Sequence, residues 1–123
     1  MLTRVYDRRY TMHAWLKNLL ILSIFVSNGA FSIDTNTTII DVRTPEEWAS
    51  GHLVSAQHLQ FELISEGITD VVEDKDQAIY VYCRSGNRSG QAKLILDAMG
   101  YNNVTNAGSL QNASDLLDQD IVY

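Results

Sequence analysis

The run Ala78-Ile79-Tyr80-Val81-Tyr82 constrains the fold more than any other segment. Successive side chains of a strand point to opposite faces, so a strand without apolar–polar alternation must be covered on both. That places the run inside a parallel sheet. Beyond a short loop, Ala92, Ile95, Leu96 and Met99 recur at i, i+3, i+4 and i+7, the spacing of one helix face. Gly100 stands where that helix should end, because glycine adopts the left-handed conformation of a C-terminal cap at least cost.

The remaining elements agree. Residues 37–43 are short and β-branched and predict a strand. Thr44, Pro45 and Glu47 then occupy the N-cap, N1 and N3 positions of a capping box. The helix they open carries Trp48 and stops at Gly51. Residues 56–61 predict a second short strand, 62–66 a helical turn, 103–105 another strand and 109–119 a weaker helix. Strands alternating with helices give an α/β class with a mainly parallel central sheet flanked by helices. At 123 residues, with one proline, no linker-like stretch and no internal repeat, a single domain with a modest core is expected.

Charge divides the chain. Arg4, Arg8, Arg9 and Lys17 open it, with Asp7 the only acid among them. From Phe31 onward five Lys/Arg (Arg43, Lys75, Arg84, Arg88, Lys93) face fourteen Asp/Glu, a net −9. A body this acidic repels phosphate backbones, so no nucleic-acid partner is expected.

The basic opening leads into Leu19-Leu20-Ile21-Leu22-Ser23-Ile24-Phe25-Val26 and then small and polar residues, the layout of a secretory signal peptide. Ala30-Phe31-Ser32 offers a cleavage site, giving a signal over 1–32 and a mature domain over 33–123. Gly29 and Ala30 are competing cut points, and Met12 is an alternative start. The uncharged stretch 18–33 is 16 residues, short of the ~20 that span a bilayer comfortably. An exported, periplasmic monomer without stable membrane association is expected, against the alternatives of an uncleaved anchor or a buried helix.

Cys83 is the sole cysteine, so no internal disulfide is available. It stands at the carboxyl end of the predicted interior strand, just before a helix, where open α/β sheets place their ligands. Arg84, Ser85, Gly86, Asn87, Arg88 and Ser89 follow, all small, polar or cationic. Such a loop can turn its N–H groups inward, bind an anion beside a helix N-terminus and favour a thiolate. The expected substrate is a small anion with an electrophilic centre, attacked by the thiolate at phosphorus or at sulfur. Cysteine phosphatases space their residues C-x5-R. Here position 89 is Ser and Arg88 gives C-x4-R, a tighter ring with less room for a tetrahedral phosphate.

Cys83-Arg84-Ser85-Gly86-Asn87-Arg88 resembles the C-R-x-G-x-R loop of rhodanese-type sulfurtransferases. Asp41-Val42-Arg43 through Glu47-Trp48 resembles the family's D-V-R-x-x-x-E-[FWY] segment. Gly51-His52-Leu53-Val54-Ser55-Ala56 resembles its G-H-I-x-G-A segment, and Gly90-Gln91-Ala92-Lys93 and Met99-Gly100-Tyr101 match the helix after the loop. The resemblance covers nearly all of residues 33–123 and is closest to small, single-domain, exported members. It implies a rhodanese-like fold in which Cys83 takes the outer sulfur of thiosulfate, releases sulfite and passes the sulfur from a persulfide to cyanide or a thiol. Residues 84–89 would bind the donor, with Arg84 and Arg88 holding its charge. No cofactor and no metal are implied, since the persulfide is the carrier. Two arginines favour thiosulfate over mercaptopyruvate, whose enzymes carry C-G-S-G-x-T. Ser55 and Ser109 stand where the family has glycine, which bears on loop shape. The competing functions are a sulfur-carrier or redox-sensing module with little turnover, and a phosphatase or arsenate reductase, disfavoured by loop length.

Other polar residues have plainer readings. Asp41 and Arg43 are expected to bridge near the first strand's end, His52 and His58 to be structural, and Trp48 to enter the core. Residues 70–77 read as a solvated loop. Asp115, Asp118 and Asp120 lack the ordered spacing of a calcium loop.

Overall fold

The computed structural model describes residues 36–123. The signal-peptide reading of 1–32 and its boundary at 33 lie outside the described residues. The elements are β1 (Thr37–Asp41), α1 (Pro45–Ala49), β2 (His52–Leu53), β3 (Ala56–His58), a 3₁₀ turn (Phe61–Leu63), α2 (Ile64–Val71), β4 (Ala78–Cys83), α3 (Asn87–Ala98), β5 (Val104–Ser109), α4 (Leu110–Leu117) and β6 (Ile121–Val122).

Four strands form one sheet in the order β3-β1-β4-β5, every pair parallel. β4 is interior, and its lack of alternation has a direct cause. Ile79, Val81 and Cys83 enter one core cluster with Ile64, Ile68, Ala92 and Leu96. Tyr82 and partly buried Tyr80 pack into a second, with Ile39, Leu53, Ala107 and Ala113. Each fully buried Ile, Val or Leu contributes roughly 1.5–3 kcal/mol relative to exposure, so neither face of β4 tolerates a polar substitution. α3 presents the predicted face, Ala92 and Leu96 buried with Ile95 and Met99 packed beside them, and Gly100 follows at φ +94°.

Several expectations need correction: the strand expected at 37–43 ends at Asp41, and that expected at 103–105 runs from Val104 to Ser109. The strand at residues 56–61 ends at His58, and Phe61 begins the 3₁₀ turn. The turn expected at 62–66 continues as α2 to Val71, which removes residues 70 and 71 from the acidic loop. Trp48 does not enter the core: α1 buries no residue, and the half-buried indole stacks on His52 at 3.5 Å and on His58 at 5.1 Å between ring centroids. A two-stranded antiparallel sheet, β2 with β6, was not foreseen.

The C-terminal ends of the strands are held rigidly. Asp41 and Arg43 form a buried pair, Arg43 Nη2 to Asp41 Oδ2 at 2.7 Å and Nε to Oδ1 at 3.0 Å, and Nη2 also donates to the Gly51 carbonyl at 2.6 Å. Burial disfavours the charged guanidinium, but the Asp41 carboxylate outweighs it and holds Arg43 ionised. His58 Nε2–H donates to the Arg43 carbonyl at 2.7 Å and His52 Nδ1–H to that of Trp48 at 2.9 Å. Asp41, Arg43, His52 and His58 are therefore structural, as the sequence predicts.

Candidate active site

The site begins where β4 ends. Cys83 has no exposed surface, and its backbone continues through Arg84, Ser85 and Gly86 into α3. Gly86 is the N-cap of that helix at φ +92°, a left-handed conformation, and a Cβ there would lie 3.4 Å from Gly108 Cα. Only glycine takes that turn without strain. The turn aims the Gly86 N–H at Cys83 Sγ, 3.0 Å away. The buried Ser89 hydroxyl lies 3.4 Å from the same sulfur.

These contacts set the thiol's acidity. Burial alone pushes the Cys83 thiol up, but hydrogen bonds from the Ser89 hydroxyl and from the main-chain N–H groups of Ser89, Ser85 and Gly86 outweigh it, and the net shift is downward. The helix N-terminus adds partial positive charge in the same place. The result is a preorganised seat for a negatively charged sulfur.

The two arginines separate. Arg84 is exposed and makes no ion pair among the described residues. Arg88 is held by Glu47 of α1 through two parallel bonds, Nη1 to Oε1 at 2.8 Å and Nη2 to Oε2 at 3.0 Å. Glu47 Oε1 also accepts from the Thr44 N–H at 3.1 Å, while Thr44 Oγ1 accepts from the Glu47 N–H, so the predicted capping box is present and fixes the carboxylate. The Arg88 bonds, with Thr44, hold the Glu47 carboxyl down at about 2 despite partial burial. Arg88 thus interacts electrostatically with the Cys83 sulfur and has a counter-ion already in place. Ser85 and Asn87 are exposed, and Asn87 Oδ1 accepts from Gln91 Nε2 along the helix at 3.2 Å.

Two residues of the site escaped the sequence. Glu47 was visible as a helix cap and in the D-V-R-x-x-x-E segment, with no part in the site assigned to it. Asn106 lies on β5, where β4 and β5 fall out of step: Val81 pairs with Asn106 and Tyr82 with Gly108, so Ala107 is an extra residue. Such bulges re-aim side chains. Asn106 Oδ1 accepts from Ser89 Oγ at 2.7 Å and from the Gly108 N–H at 3.0 Å, and its Nδ2 donates to the Gly86 carbonyl at 3.0 Å.

A lone cysteine in a ring of main-chain N–H groups, at a helix N-terminus on a parallel sheet, is an arrangement suited to a thiolate and to a small anion. The chain belongs to the rhodanese-like domain family, whose model matches residues 30–112. It is 40% identical over 96 residues to the thiosulfate sulfurtransferase PspE of Escherichia coli, covering 78% of this chain and 89% of that one. A thiosulfate sulfurtransferase GlpE of Pseudomonas entomophila is 33% identical over 54% of this chain and 59% of its own length. Among solved structures, an E. coli rhodanese with anions aligns at 42% identity and a TM-score of 0.60, over 62% of this chain and 89% of that chain. The rhodanese-like domain of the Alr3790 protein of Anabaena sp. aligns at a TM-score of 0.66 with 21% identity, over 82% of this chain and 93% of its own, a likeness of fold.

Proposed function

We propose that the protein is a thiosulfate sulfurtransferase acting through a Cys83 persulfide. The observation that carries the reading is the seat around Cys83 Sγ, with Gly86 N–H at 3.0 Å and Ser89 Oγ at 3.4 Å. The Cys83 thiolate attacks the outer sulfur of thiosulfate. The new Sγ–S bond forms as the S–S bond of thiosulfate breaks, and sulfite leaves with the electron pair. The persulfide keeps one negative charge, which the loop N–H groups and helix N-terminus stabilise. Cyanide or a thiolate then attacks the outer sulfur, departs with it and regenerates the thiolate. Arg84, exposed and without an ion pair among the described residues, can meet the donor, while Arg88 is fixed by Glu47. The names of the E. coli and Pseudomonas relatives support thiosulfate as donor.

Intact mass after incubation with thiosulfate, with sulfite followed in parallel, tests this. The wild type should gain one sulfur atom, release sulfite and lose the sulfur to cyanide, and Cys83→Ser should do none of these. A second reading, a carrier or sensor module with little turnover, is favoured by the complete enclosure of Cys83. Loading from other persulfides without sulfite release from thiosulfate would select it.

The basic and apolar opening of the chain supports export to the periplasm with cleavage after Ser32. Mass spectrometry of the protein from the exported fraction should give an N-terminus at Ile33; one at Met1 or Met12 would refute cleavage.

A further inference from the structure

We propose that Asn106 is a positioning residue for the reactive sulfur: one carboxamide holds both Gly86 and Ser89, the residues whose N–H and O–H reach Cys83 Sγ. The proposal rests on the reading of Cys83 as the reactive thiolate.

The geometry is specific. Gly86 must keep a positive φ for its N–H to meet the sulfur, and its carbonyl is anchored by Asn106 Nδ2 at 3.0 Å and by the Gly90 N–H at 3.0 Å. The Ser89 hydroxyl has one proton and two acceptors, Asn106 Oδ1 at 2.7 Å and Cys83 Sγ at 3.4 Å. A charge-assisted hydrogen bond is roughly twice as strong as a neutral one, so a thiolate draws the proton that a neutral thiol leaves on the amide. Asn106 Oδ1 then keeps the Gly108 N–H at 3.0 Å and is not orphaned. The carboxamide therefore gives the hydroxyl a resting place and holds it within reach of the sulfur. The charged groups around the sulfur's loop are Arg84, next to Cys83 in the chain, Arg88 of α3, Glu47 of α1 paired to it, and Glu62 of the 3₁₀ turn, which also interacts with Arg88; β5 brings this uncharged amide. α3 must also come close for the contact to form. A Cβ on Gly90 would stand 3.2 Å from Asn106 Nδ2.

The test is thiolate absorbance near 240 nm against pH, taken as the difference from Cys83→Ser, with thermal melting alongside. The proteins are wild type, Asn106→Asp, Asn106→Ala, Ser89→Ala and Ser89→Ala/Asn106→Ala. Asn106→Asp keeps the size and the acceptor but replaces the donor to Gly86 with a negative oxygen. On the rising limb its thiolate fraction at a given pH should fall roughly tenfold, the scale of one lost hydrogen bond to a charged group. Asn106→Ala should fall less and in the same direction. In the double variant the Asn106 effect should grow, because the amide's hold on the Ser89 proton favours the neutral thiol and partly offsets its hold on Gly86. Titrations of Asn106→Asp and Asn106→Ala that superimpose on wild type would overturn the proposal, even with lowered melting temperatures, since a merely structural role moves the melt alone. An Asn106 effect of equal size with and without Ser89 would overturn the shared-proton part. The titration needs no substrate, so a wild type that takes no sulfur from thiosulfate would refute the donor assignment and leave the role of Asn106 standing.

Discussion

Glu47→Gln isolates the charge of the residue that ties α1 to the start of α3, beside Cys83. Glutamine keeps the length and a side-chain oxygen for the Thr44 N–H, so the capping box survives while the ionic bond to Arg88 does not. The carboxyl falls from 4.5 to about 2 in the fold. A depressed acid stabilises the folded state fully above its unfolded value and loses that contribution as pH falls through its folded value. At about 1.36 kcal/mol per pH unit, the ceiling is about 3 kcal/mol. The pair is partly exposed, 30% for Arg88 and 25% for Glu47, so solvent screening brings the expectation at pH 7 to about 1–2 kcal/mol. By pH 3, about two-fifths of that remains. Urea unfolding of wild type and Glu47→Gln at pH 7, 5 and 3 reads the difference directly. The variant should be less stable by about 1–2 kcal/mol at pH 7 and 5, with the gap more than halved at pH 3. A gap of equal size at all three pH values would refute an ionic origin, and no gap at pH 7 would show that the Arg88 bonds add nothing to stability.

Asp41→Ala strands the Arg43 guanidinium in the interior with the Gly51 carbonyl and the face of the Tyr82 ring as its remaining contacts among the described residues, and breaking a buried pair costs about 3–5 kcal/mol. For a domain of this size the melting temperature should drop by at least about 12 °C; a drop under about 4 °C would mean that these contacts suffice. Gly86→Ala forces a side chain into φ +92° against Gly108 Cα. It should cost about 1–2 kcal/mol by urea unfolding and slow sulfur loading from thiosulfate, whereas unchanged loading would show that the Gly86 N–H does not serve the sulfur.

What the sequence made legible was what short-range periodicity encodes. The unbroken run 78–82 located the interior strand because both of its faces are buried. Residues 92, 95, 96 and 99 located α3, and Thr44-Pro45-Glu46-Glu47 located the start of α1. Cys83 was conspicuous because cationic and small residues follow it. What stayed hidden depends on contacts between distant segments. Glu47 and Arg88 are 41 residues apart, and nothing local says that a capping carboxylate has a second client. Asn106 faces the loop because of a bulge that appears only when β5 pairs with β4. α2 was foreshortened because Gly67 is a poor helix former; in the fold a Cβ there would come within 2.8 Å of Leu59 Cδ1, so tertiary packing overrides propensity. Trp48 was misplaced because a large aromatic ring predicts burial, whereas two histidine rings supply its contacts on the rim.

The enclosure of Cys83 bears on how readily a solitary thiol forms a disulfide with another chain. A disulfide between chains requires the two Cα atoms within about 4.4–6.8 Å, an approach that a second polypeptide cannot make to a cysteine without exposed surface. Protection that other redox proteins obtain from a resolving cysteine is here a matter of access: the folded chain bars bulky disulfides by size. The same wall applies to substrates: with no exposed surface at Cys83, a donor or acceptor meets the sulfur only when the residues around it yield.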